Sequence, residues 1–285
     1  MTTIESAPKQ AVMITGASTG IGEATALLLA REGFVVFAGV RQNADGERLT
    51  AQNPSIRPVI VDVTLPDTIA AAAQLVAESG VPLRGLVNNA GIALAGPLEF
   101  LPVEHLRRQF EVNVFGHVAV SQAFLPALRK TKGRIVFVGS IAGLLATPFV
   151  GPYSASKFAL EAVADVFRLE LAPAGIAVSL LEPGAVKTPI WAKGRAGGDT
   201  LAKRLGPQAM ERYGDAMTRL IELTAVQERD GMPAEVCARA ILHALTARRP
   251  RARYLLGGPA RMQRLISYLP ERARDAIVRK VMGLS

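Results

Sequence analysis

The glycine-rich stretch of residues 15–22 runs Thr15-Gly16-Ala17-Ser18-Thr19-Gly20-Ile21-Gly22. It follows a short apolar run at residues 11–15, typical of a strand, and it precedes helical apolar spacing at residues 21–32. Glycines at such a junction let the backbone turn tightly and approach a pyrophosphate, whose charge the helix N-terminus favours. The spacing G-x-x-x-G-x-G differs from the usual dinucleotide fingerprint, G-x-G-x-x-G. A plain tight turn is the alternative, but the strand and helix around the stretch favour a phosphate-binding turn.

Short apolar runs alternate with helical patterns along the rest of the chain. The predicted strands are residues 11–15, 35–40, 58–61, 85–88, 134–139, 176–181 and 253–256. The predicted helices are residues 21–32, 66–79, 103–130 and 154–172. This alternation, with strands that are apolar throughout, predicts an α/β Rossmann fold in which a parallel sheet of seven strands is doubly wound by helices.

The length of 285 residues suits a single Rossmann-type domain. Its predicted core comprises residues 10–188 and 233–257. Residues 189–232 have weak periodicity and a glycine-rich centre (Gly194, Gly197 and Gly198), which predicts a substrate lid above the sheet. Residues 258–285 are predicted to form one or two further basic helices, interrupted at Pro270.

The composition favours an aliphatic core in a protein of the cytoplasm. Hydrophobic residues make up 49% of the chain but aromatic residues only 5%, as expected of buried parallel strands. Residues 1–10 are polar, without the apolar centre of a secretory signal, and no apolar stretch reaches the roughly 18 residues of a spanning helix. Cys237 is the only cysteine, so no intrachain disulfide can form, and a cytoplasmic location is expected.

The net charge of +9 is concentrated at the C-terminal end. Residues 248–285 contain ten Lys or Arg residues against Glu271 and Asp275, a net charge of +8, which leaves +1 for the rest of the chain. Apolar residues recur there at helical spacing, at Met262, Leu265, Ile266 and Leu269. A basic amphipathic helix is most often solvated or packed against another subunit, and contact with an anionic membrane is the alternative. No aromatic platform accompanies the charge, so no nucleic-acid partner is expected.

Three polar residues form the predicted catalytic group. Tyr153 and Lys157 are four residues apart at the start of a helix, so both side chains lie on one face. An ordinary tyrosine, with a pKa near 10, is a poor base at neutral pH, and a nearby ammonium lowers that pKa. Ser140 ends a predicted strand, where its hydroxyl can hold a carbonyl oxygen beside the tyrosine hydroxyl. The three histidines show no metal-ligand spacing, so no metal chemistry is expected.

With these motifs in this order, the chain resembles the short-chain dehydrogenase/reductase superfamily, in its single-domain branch. The resemblance covers residues 10–247. The motifs that carry it are residues 15–22, Asp62-Val63, Asn88-Asn89-Ala90-Gly91, Asn113, Ser140, Tyr153-Ser154-Ala155-Ser156-Lys157, Pro183-Gly184 and Thr188. Within the superfamily, Glu182-Pro183-Gly184 and residues 156–162 are similar to the retinol, hydroxysteroid and 3-hydroxybutyrate dehydrogenases.

The resemblance implies a hydride transfer between a nicotinamide cofactor and a secondary alcohol or ketone. It assigns catalysis to Asn113, Ser140, Tyr153 and Lys157. It assigns cofactor binding to Gly16, Ser18, Thr19, Gly20, Ile21, Gly22, Arg41, Asp62, Val63, Asn89, Ala90, Gly91, Tyr153, Lys157, Pro183, Gly184, Val186 and Thr188. By the same resemblance Asp62 contacts the adenine, Val186 and Thr188 anchor the carboxamide, and Asn113 holds a water that relays protons from Lys157.

The end of the second predicted strand bears on the choice of cofactor. A carboxylate there would bind both ribose hydroxyls, but the strand ends in Arg41 and no acid follows before Asp45. A guanidinium matches the geometry of a 2′-phosphate, so NADP is predicted in preference to NAD. NAD remains the alternative, because Arg41 could be an ordinary surface arginine and Thr19 adds no second positive charge.

The predicted substrate is a hydrophobic alcohol or ketone, such as a lipid, steroid or retinoid. Residues 141–150, after Ser140, carry no charge and would form one wall of the pocket. Candidates for its cover are Trp191, Met210, Tyr213 and Met217. One alternative is a small hydroxyacid held by Lys193 or Arg195; another is a dinucleotide-sensing protein without turnover. Relatives commonly pair the helices at 103–130 and 154–172, which implies a homo-oligomer, a dimer or a tetramer.

Overall fold

The computed structural model describes residues 10–190, 192 and 206–284. Seven parallel strands form one sheet in the order β3-β2-β1-β4-β5-β6-β7. The strands are β1 (Ala11–Ile14), β2 (Val35–Val40), β3 (Ile56–Ile60), β4 (Leu83–Asn88), β5 (Arg134–Val138), β6 (Ala177–Pro183) and β7 (Arg253–Leu256). The predicted doubly wound Rossmann sheet is therefore confirmed. The strand order reverses between β1 and β4, and a crevice opens at the carboxyl ends of the strands beside such a reversal.

Helices cover both faces of this sheet. They are α1 (Gly20–Arg31), α2 (Asn43–Gln52), α3 (Pro66–Glu78), α4 (Val103–Phe110), α5 (Gly116–Thr131), α6 (Gly151–Leu171), α7 (Pro207–Asp230), α8 (Ala234–Thr246), α9 (Gly258–Ser267) and α10 (Glu271–Met282). Three of them, α2, α7 and α8, were not among the predicted helices. In α2 only Gly46 and Leu49 are buried, too few to give an apolar period, whereas α8 does bury a regular apolar face against α1.

Strands β1 to β6 each contribute to two apolar cores, one on either side of the sheet, whereas β7 contributes to one. In β1, Ala11 and Met13 belong to one core, while Val12 and Ile14 belong to the other. This alternation follows from the two-residue period of a strand. Because β1 is fully buried on both faces, its sequence is apolar without interruption.

The predicted helix at residues 103–130 is wrong in one respect, because it is divided in the structure. A π-helical turn, Glu111–Phe115, separates α4 from α5. Such a turn adds one residue to the helix and redirects the side chains within it, and it often marks a functional site. Asn113 lies in this turn, fully buried.

The described part of the predicted lid is a regular helix. α7 has 24 residues and buries Met217 in a small cluster with Phe149 and Met282 of α10. Tyr213 also packs in this cluster, whereas Met210, another predicted cover residue, is 44% exposed. Trp191, Lys193, Gly194, Arg195, Gly197 and Gly198 lie outside the described residues. Within the described part, no helix has the length and apolar character needed to cross a bilayer.

Candidate active site

A cleft of about 500 Å³ lies at the carboxyl ends of the strands. It is lined by almost every residue predicted for the site. These are Gly16, Ser18, Thr19, Gly20, Ile21, Arg41, Asp62, Val63, Asn89, Ala90, Gly91, Ser140, Tyr153, Lys157, Pro183, Gly184, Val186 and Thr188. Gly22 and Asn113 are the two predicted residues that do not line it. Residues separated by up to 172 positions in the chain, from Gly16 to Thr188, therefore meet at one surface.

The glycine loop, residues 15–22, forms the floor of one end of the cleft. Gly16 has a φ of +65°, and a Cβ added to it would lie 2.8 Å from the Cα of Ala90. A Cβ on Gly22 would overlap with the carbonyl oxygen of Gly16 and lie 2.5 Å from Nδ2 of Asn89. The loop therefore leaves no room for side chains beneath it, and its backbone, followed by the N-terminus of α1, faces the cleft. This cradle fits a pyrophosphate.

Hydrogen bonds join the glycine loop to the end of β4. Nδ2 of Asn89 donates to the carbonyl oxygens of Thr15 and Gly16, at 3.0 and 2.9 Å. The hydroxyl of Thr15 accepts from the backbone amides of Asn89 and Ala90, at 3.0 and 3.1 Å. These four bonds fix the two strand ends against each other, so the cradle is set before a ligand binds.

At the opposite end of the cleft, Asp62 and Arg41 face each other. Oδ1 of Asp62 accepts from the backbone amide and the hydroxyl of Thr64, at 2.9 and 2.7 Å. Partial burial opposes ionisation, but the hydrogen bonds from Thr64 and the charge of Arg41 outweigh it and hold the pKa of Asp62 below its usual value. Asp62 is thus an anionic acceptor suited to an amino group, while Arg41 is exposed and suited to a phosphate.

The structure brings Ser140, Tyr153 and Lys157 together at the centre of the cleft. Ser140 caps a 3₁₀ turn, Ile141–Gly143, by accepting from the amide of Ala142 at 3.1 Å, and it shares a hydrogen bond with the hydroxyl of Tyr153. Nζ of Lys157 lies 5.7 Å from the centroid of the Tyr153 ring and donates to the carbonyl oxygen of Val138 at 2.8 Å. A strand end and the first turns of α6 therefore hold the three groups in place.

Burial controls the ionisation of Tyr153 and Lys157. It raises the pKa of Tyr153, although part of the side chain faces the cleft, and the hydrogen bond with Ser140 only partly opposes this. The sequence predicted that the Lys157 ammonium would lower the pKa of Tyr153, and the structure gives the opposite direction. Burial also lowers the pKa of Lys157 to about 8, against the opposing charge of Glu161. Tyr153 is therefore a protonated phenol at neutral pH and can donate its proton.

Asn113 lies behind the cleft wall and supports it. Its Nδ2 donates to the carbonyl oxygen of Ile92 and to the hydroxyl of Ser156, at 3.0 and 3.1 Å. Its Oδ1 accepts from the amide of Ile92 at 3.0 Å. The side chain thus holds Ile92, which lines the cleft, against α6. Its proposed role as a ligand of a relay water stays a prediction.

Several residues of the site were missed by sequence reasoning. His117, fully buried, donates from Nε2 to the carbonyl oxygen of Ala90 at 2.7 Å; burial and the charge of Lys157 lower its pKa to about 3, so it is neutral. Arg48 donates to the carbonyl oxygen of Ser18 and pairs with Glu23. No local pattern marks either residue, because each acts through a distant part of the chain. Further lining residues are Gly39, Val40, Val61, Thr64, Ile92, Arg108, Glu111, Val112, Val138, Gly139, Pro189 and Ile190.

The cradle and the Ser140–Tyr153–Lys157 group agree with a family match. Residues 10–198 match the family model of short chain dehydrogenases. The chain belongs to the short-chain dehydrogenase/reductase family. The predicted resemblance is thereby confirmed, and so is the prediction of an NAD(P)-dependent oxidoreductase.

Two curated relatives in this family match most of the chain. An NADPH-dependent 3-dehydrocapnine reductase of Ornithobacterium rhinotracheale is 35% identical over 279 residues, which cover 94% of this chain and 95% of the relative. Retinol dehydrogenase 5 of Mus musculus is 36% identical over 282 residues, covering 94% and 87%. Each relative transforms a different compound, so family membership fixes the type of reaction but not the substrate.

Solved structures of short-chain dehydrogenases share the fold. One from Streptomyces avermitilis has a TM-score of 0.76 at 27% identity and covers 98% of this chain and 96% of its own. Another, from Burkholderia cenocepacia, is a complex with NADP; it has a TM-score of 0.72 at 26% identity and covers 95% and 98%.

Proposed function

We propose that this short-chain dehydrogenase/reductase uses NADP(H) to interconvert a hydrophobic secondary alcohol and its ketone. The observation that carries the proposal is the convergence of Ser140, Tyr153 and Lys157 at the centre of the cleft, with Ser140 hydrogen-bonded to Tyr153. These groups provide a proton donor and a hydrogen-bond donor beside a cation, the set that a carbonyl reduction needs.

The glycine loop, Asp62 and Arg41 would hold NADPH, which when bound would supply the hydride for the carbonyl carbon. Tyr153 donates its proton to the carbonyl oxygen, since burial keeps the phenol protonated at neutral pH. Ser140 donates a hydrogen bond to the same oxygen and orients it. The Lys157 ammonium stabilises the phenolate that remains and would bind the hydroxyls of the nicotinamide ribose, while Asn113 holds the wall behind them. In the oxidation, the Tyr153 phenolate accepts the alcohol proton.

Arg41 supports the choice of NADP. It lines the cleft at the end of β2, where a 2′-phosphate on the adenosine ribose would meet its guanidinium. A relative is named for its dependence on NADPH, and a solved relative contains NADP. Replacing Arg41 with Ala is expected to raise the KM for NADPH by about tenfold, the loss of one charge-assisted contact, with little change for NADH. An equal rise in both KM values would show that Arg41 does not bind the 2′-phosphate.

The apolar segment that follows Ser140 supports a hydrophobic substrate. Residues 141–150 carry no charge, and Phe149 at the end of this segment packs against Tyr213 of α7, with ring centroids 5.7 Å apart. An apolar segment beside a few polar groups suits a lipid-like or retinoid-like molecule. Lys193 and Arg195, the cations expected for a small hydroxyacid, lie outside the described residues, so that alternative stays a prediction.

Replacement of Tyr153 with Phe tests the reaction. On a ketone that the parent protein reduces, kcat/KM should fall by about 10²–10⁴, the contribution of a general acid. The temperature of unfolding should stay unchanged, which separates lost chemistry from lost structure. Activity kept within tenfold would refute the assignment. NADPH binding without turnover, by the parent protein on a broad panel of hydrophobic ketones, would instead favour a dinucleotide-sensing protein.

For its partners, we propose peripheral contact of α9 and α10 with an anionic membrane. Both helices expose apolar side chains among their Lys and Arg residues: Met262, Leu265, Tyr268 and Val281 are between 54% and 72% exposed. Sedimentation with phosphatidylserine-containing vesicles, but not with pure phosphatidylcholine, is expected because the charge of the segment is positive. Leu265→Glu should abolish this sedimentation, whereas Leu75→Glu, at an exposed residue of α3, should not. A cytoplasmic location stays a prediction.

We also propose that the chain forms a homo-oligomer through α5 and α6. Exposed apolar residues occur on or next to these helices: Phe115 is 55%, Val166 51% and Leu169 64% exposed. Apolar residues exposed on adjacent helices are typical of subunit interfaces. Light scattering should give the mass of a dimer or tetramer for the parent protein and a smaller mass for Leu169→Glu. A monomeric parent would contradict the proposal.

A further inference from the structure

A group of buried carboxylates lies behind the lysine of the active site. Glu161 follows Lys157 by one turn of α6 and is 9% exposed, and Glu182, near the end of β6, is fully buried. Arg253 of β7 connects them. Its Nη2 is 3.0 Å from Oε2 of Glu161, and its Nε is 3.1 Å from Oε1 of Glu182. Arg264 of α9 approaches Glu182 from the other side, at 3.6 Å.

This group pairs three carboxylates with three arginines. Asp165 binds Arg253 at 2.7 Å and Arg168 at 2.9 Å, and Arg264 approaches Glu182. Burial, followed by the negative charge of Glu182, raises the pKa of Glu161 to about 7. Burial also raises the pKa of Glu182, against the charges of Arg264 and Arg253. Glu161 therefore gains its negative charge as the pH rises through about 7.

The 3₁₀ turn that Ser140 caps packs against this group. A Cβ on Gly143 of that turn would lie 2.8 Å from the carbonyl oxygen of Lys157 and 3.3 Å from Cγ of Glu161. Water is thus largely excluded, since Lys157 itself is only 5% exposed. Between two buried side chains one turn apart, an opposite charge favours the ionised form of its neighbour strongly.

We propose that Glu161 is a positioning residue whose carboxylate keeps Lys157 in its ammonium form at alkaline pH. The inference rests on the proposed role of Lys157. The charged groups that face Glu161 are Lys157 and Asp165 on α6, Glu182 on β6 and Arg253 on β7, with Arg168 acting through Asp165 and Arg264 through Glu182. His117 of α5 faces Lys157 but is neutral. Without the Glu161 charge, burial alone acts on the lysine.

The test is the pH dependence of kcat/KM in Glu161→Gln. The alkaline limb, where Lys157 loses its proton, should move to lower pH by about one unit, since a neighbouring opposite charge shifts a pKa by at least that much. Glu161→Asp keeps the carboxylate and should restore most of the shift. Glu170→Gln is the matched control: it is the same change on an exposed residue of the same helix, and its profile should equal that of the parent.

A second measurement follows the titration of Lys157 in the parent protein without cofactor. The ¹⁵N shift of Nζ of Lys157, assigned with Lys157→Arg, should titrate near pH 8 and show a smaller step near pH 7 as Glu161 ionises. A single titration without that step would overturn the inference. The inference would also be overturned if Glu161→Gln lowered the unfolding temperature without moving the alkaline limb, because Glu161 would then have only a structural role. Full activity of Lys157→Ala would refute the proposed function instead.

Discussion

The glycine loop lines the cleft and α7 belongs to the predicted lid, and the two are held in place by different interactions. The loop is fixed by close-packed backbone and by hydrogen bonds to backbone groups: a Cβ on Gly22 would overlap with the backbone of Gly16, and the hydroxyl of Thr15 accepts from two backbone amides. α7 is fixed by side chains, chiefly Tyr213 and Met217 around Phe149. A backbone cradle suits a cofactor that is shared by a whole family. Side-chain contacts can change without loss of the fold, which suits the binding of an individual substrate.

The largest expected effect is that of Gly22→Ala, which tests whether the loop tolerates any side chain. The added methyl meets backbone, which cannot move aside, so we expect a loss of about 3 kcal/mol or more in the free energy of unfolding. NADPH affinity should fall as well, and fluorescence titration would measure it. Gly258→Ala is the control, since a Cβ there meets nothing within 4 Å. A Gly22→Ala protein that binds NADPH normally would contradict a cradle built from close-packed backbone.

An intermediate effect is expected for Phe149→Ala, which removes the centre of the lid contacts. Phe149 is 8% exposed and keeps a positive φ of 65°, a conformation that is unfavourable outside glycine. Because the cluster lies at the edge of the molecule, we expect a loss of about 2 kcal/mol, below the range for buried phenylalanines.

The loss of stability in Phe149→Ala should be confined to α7. Hydrogen exchange is expected to speed up in α7 but not in α1, and KM for the ketone should rise while NADPH affinity stays constant. For Phe149→Leu, which keeps an apolar side chain, the exchange rate in α7 and the KM should lie between those of the parent protein and Phe149→Ala. Equal loss of protection in α1 would show that the loop and the lid are not independent.

The smallest effect is expected for Met210→Ser, at a residue of α7 that was predicted to cover the substrate. Its side chain is 44% exposed, so its removal should change the free energy of unfolding by less than about 0.5 kcal/mol. KM for the ketone should also stay within twofold of the parent value. A clear rise in KM would restore Met210 to the substrate pocket and extend the side-chain cover along α7.

The fold could be predicted from the sequence where a short segment carries its own signal. The buried strands β1 and β2 are apolar throughout, and the glycine loop between β1 and α1 is a local motif, so both were recognised. The signal failed where structure depends on distant contacts. α2 buries two residues only, and the π-helical turn at Asn113 divides a helix whose apolar spacing is continuous. Asn113 of that turn is hydrogen-bonded to Ile92, which lies 21 residues earlier in the chain.

The same division applies to the active site. Residue types and spacing alone predicted the parallel sheet, the phosphate-binding turn and the group of Ser140, Tyr153 and Lys157, because each depends on chemistry within one strand end or one helical turn. Only the tertiary structure decided the ionisation of that group. The pKa of Tyr153 rises and that of Lys157 falls because of burial. The sheet also places Glu182 of β6 near Glu161, although the two are 21 residues apart in the chain. Burial and long-range charge are properties of packed elements, which no local pattern contains.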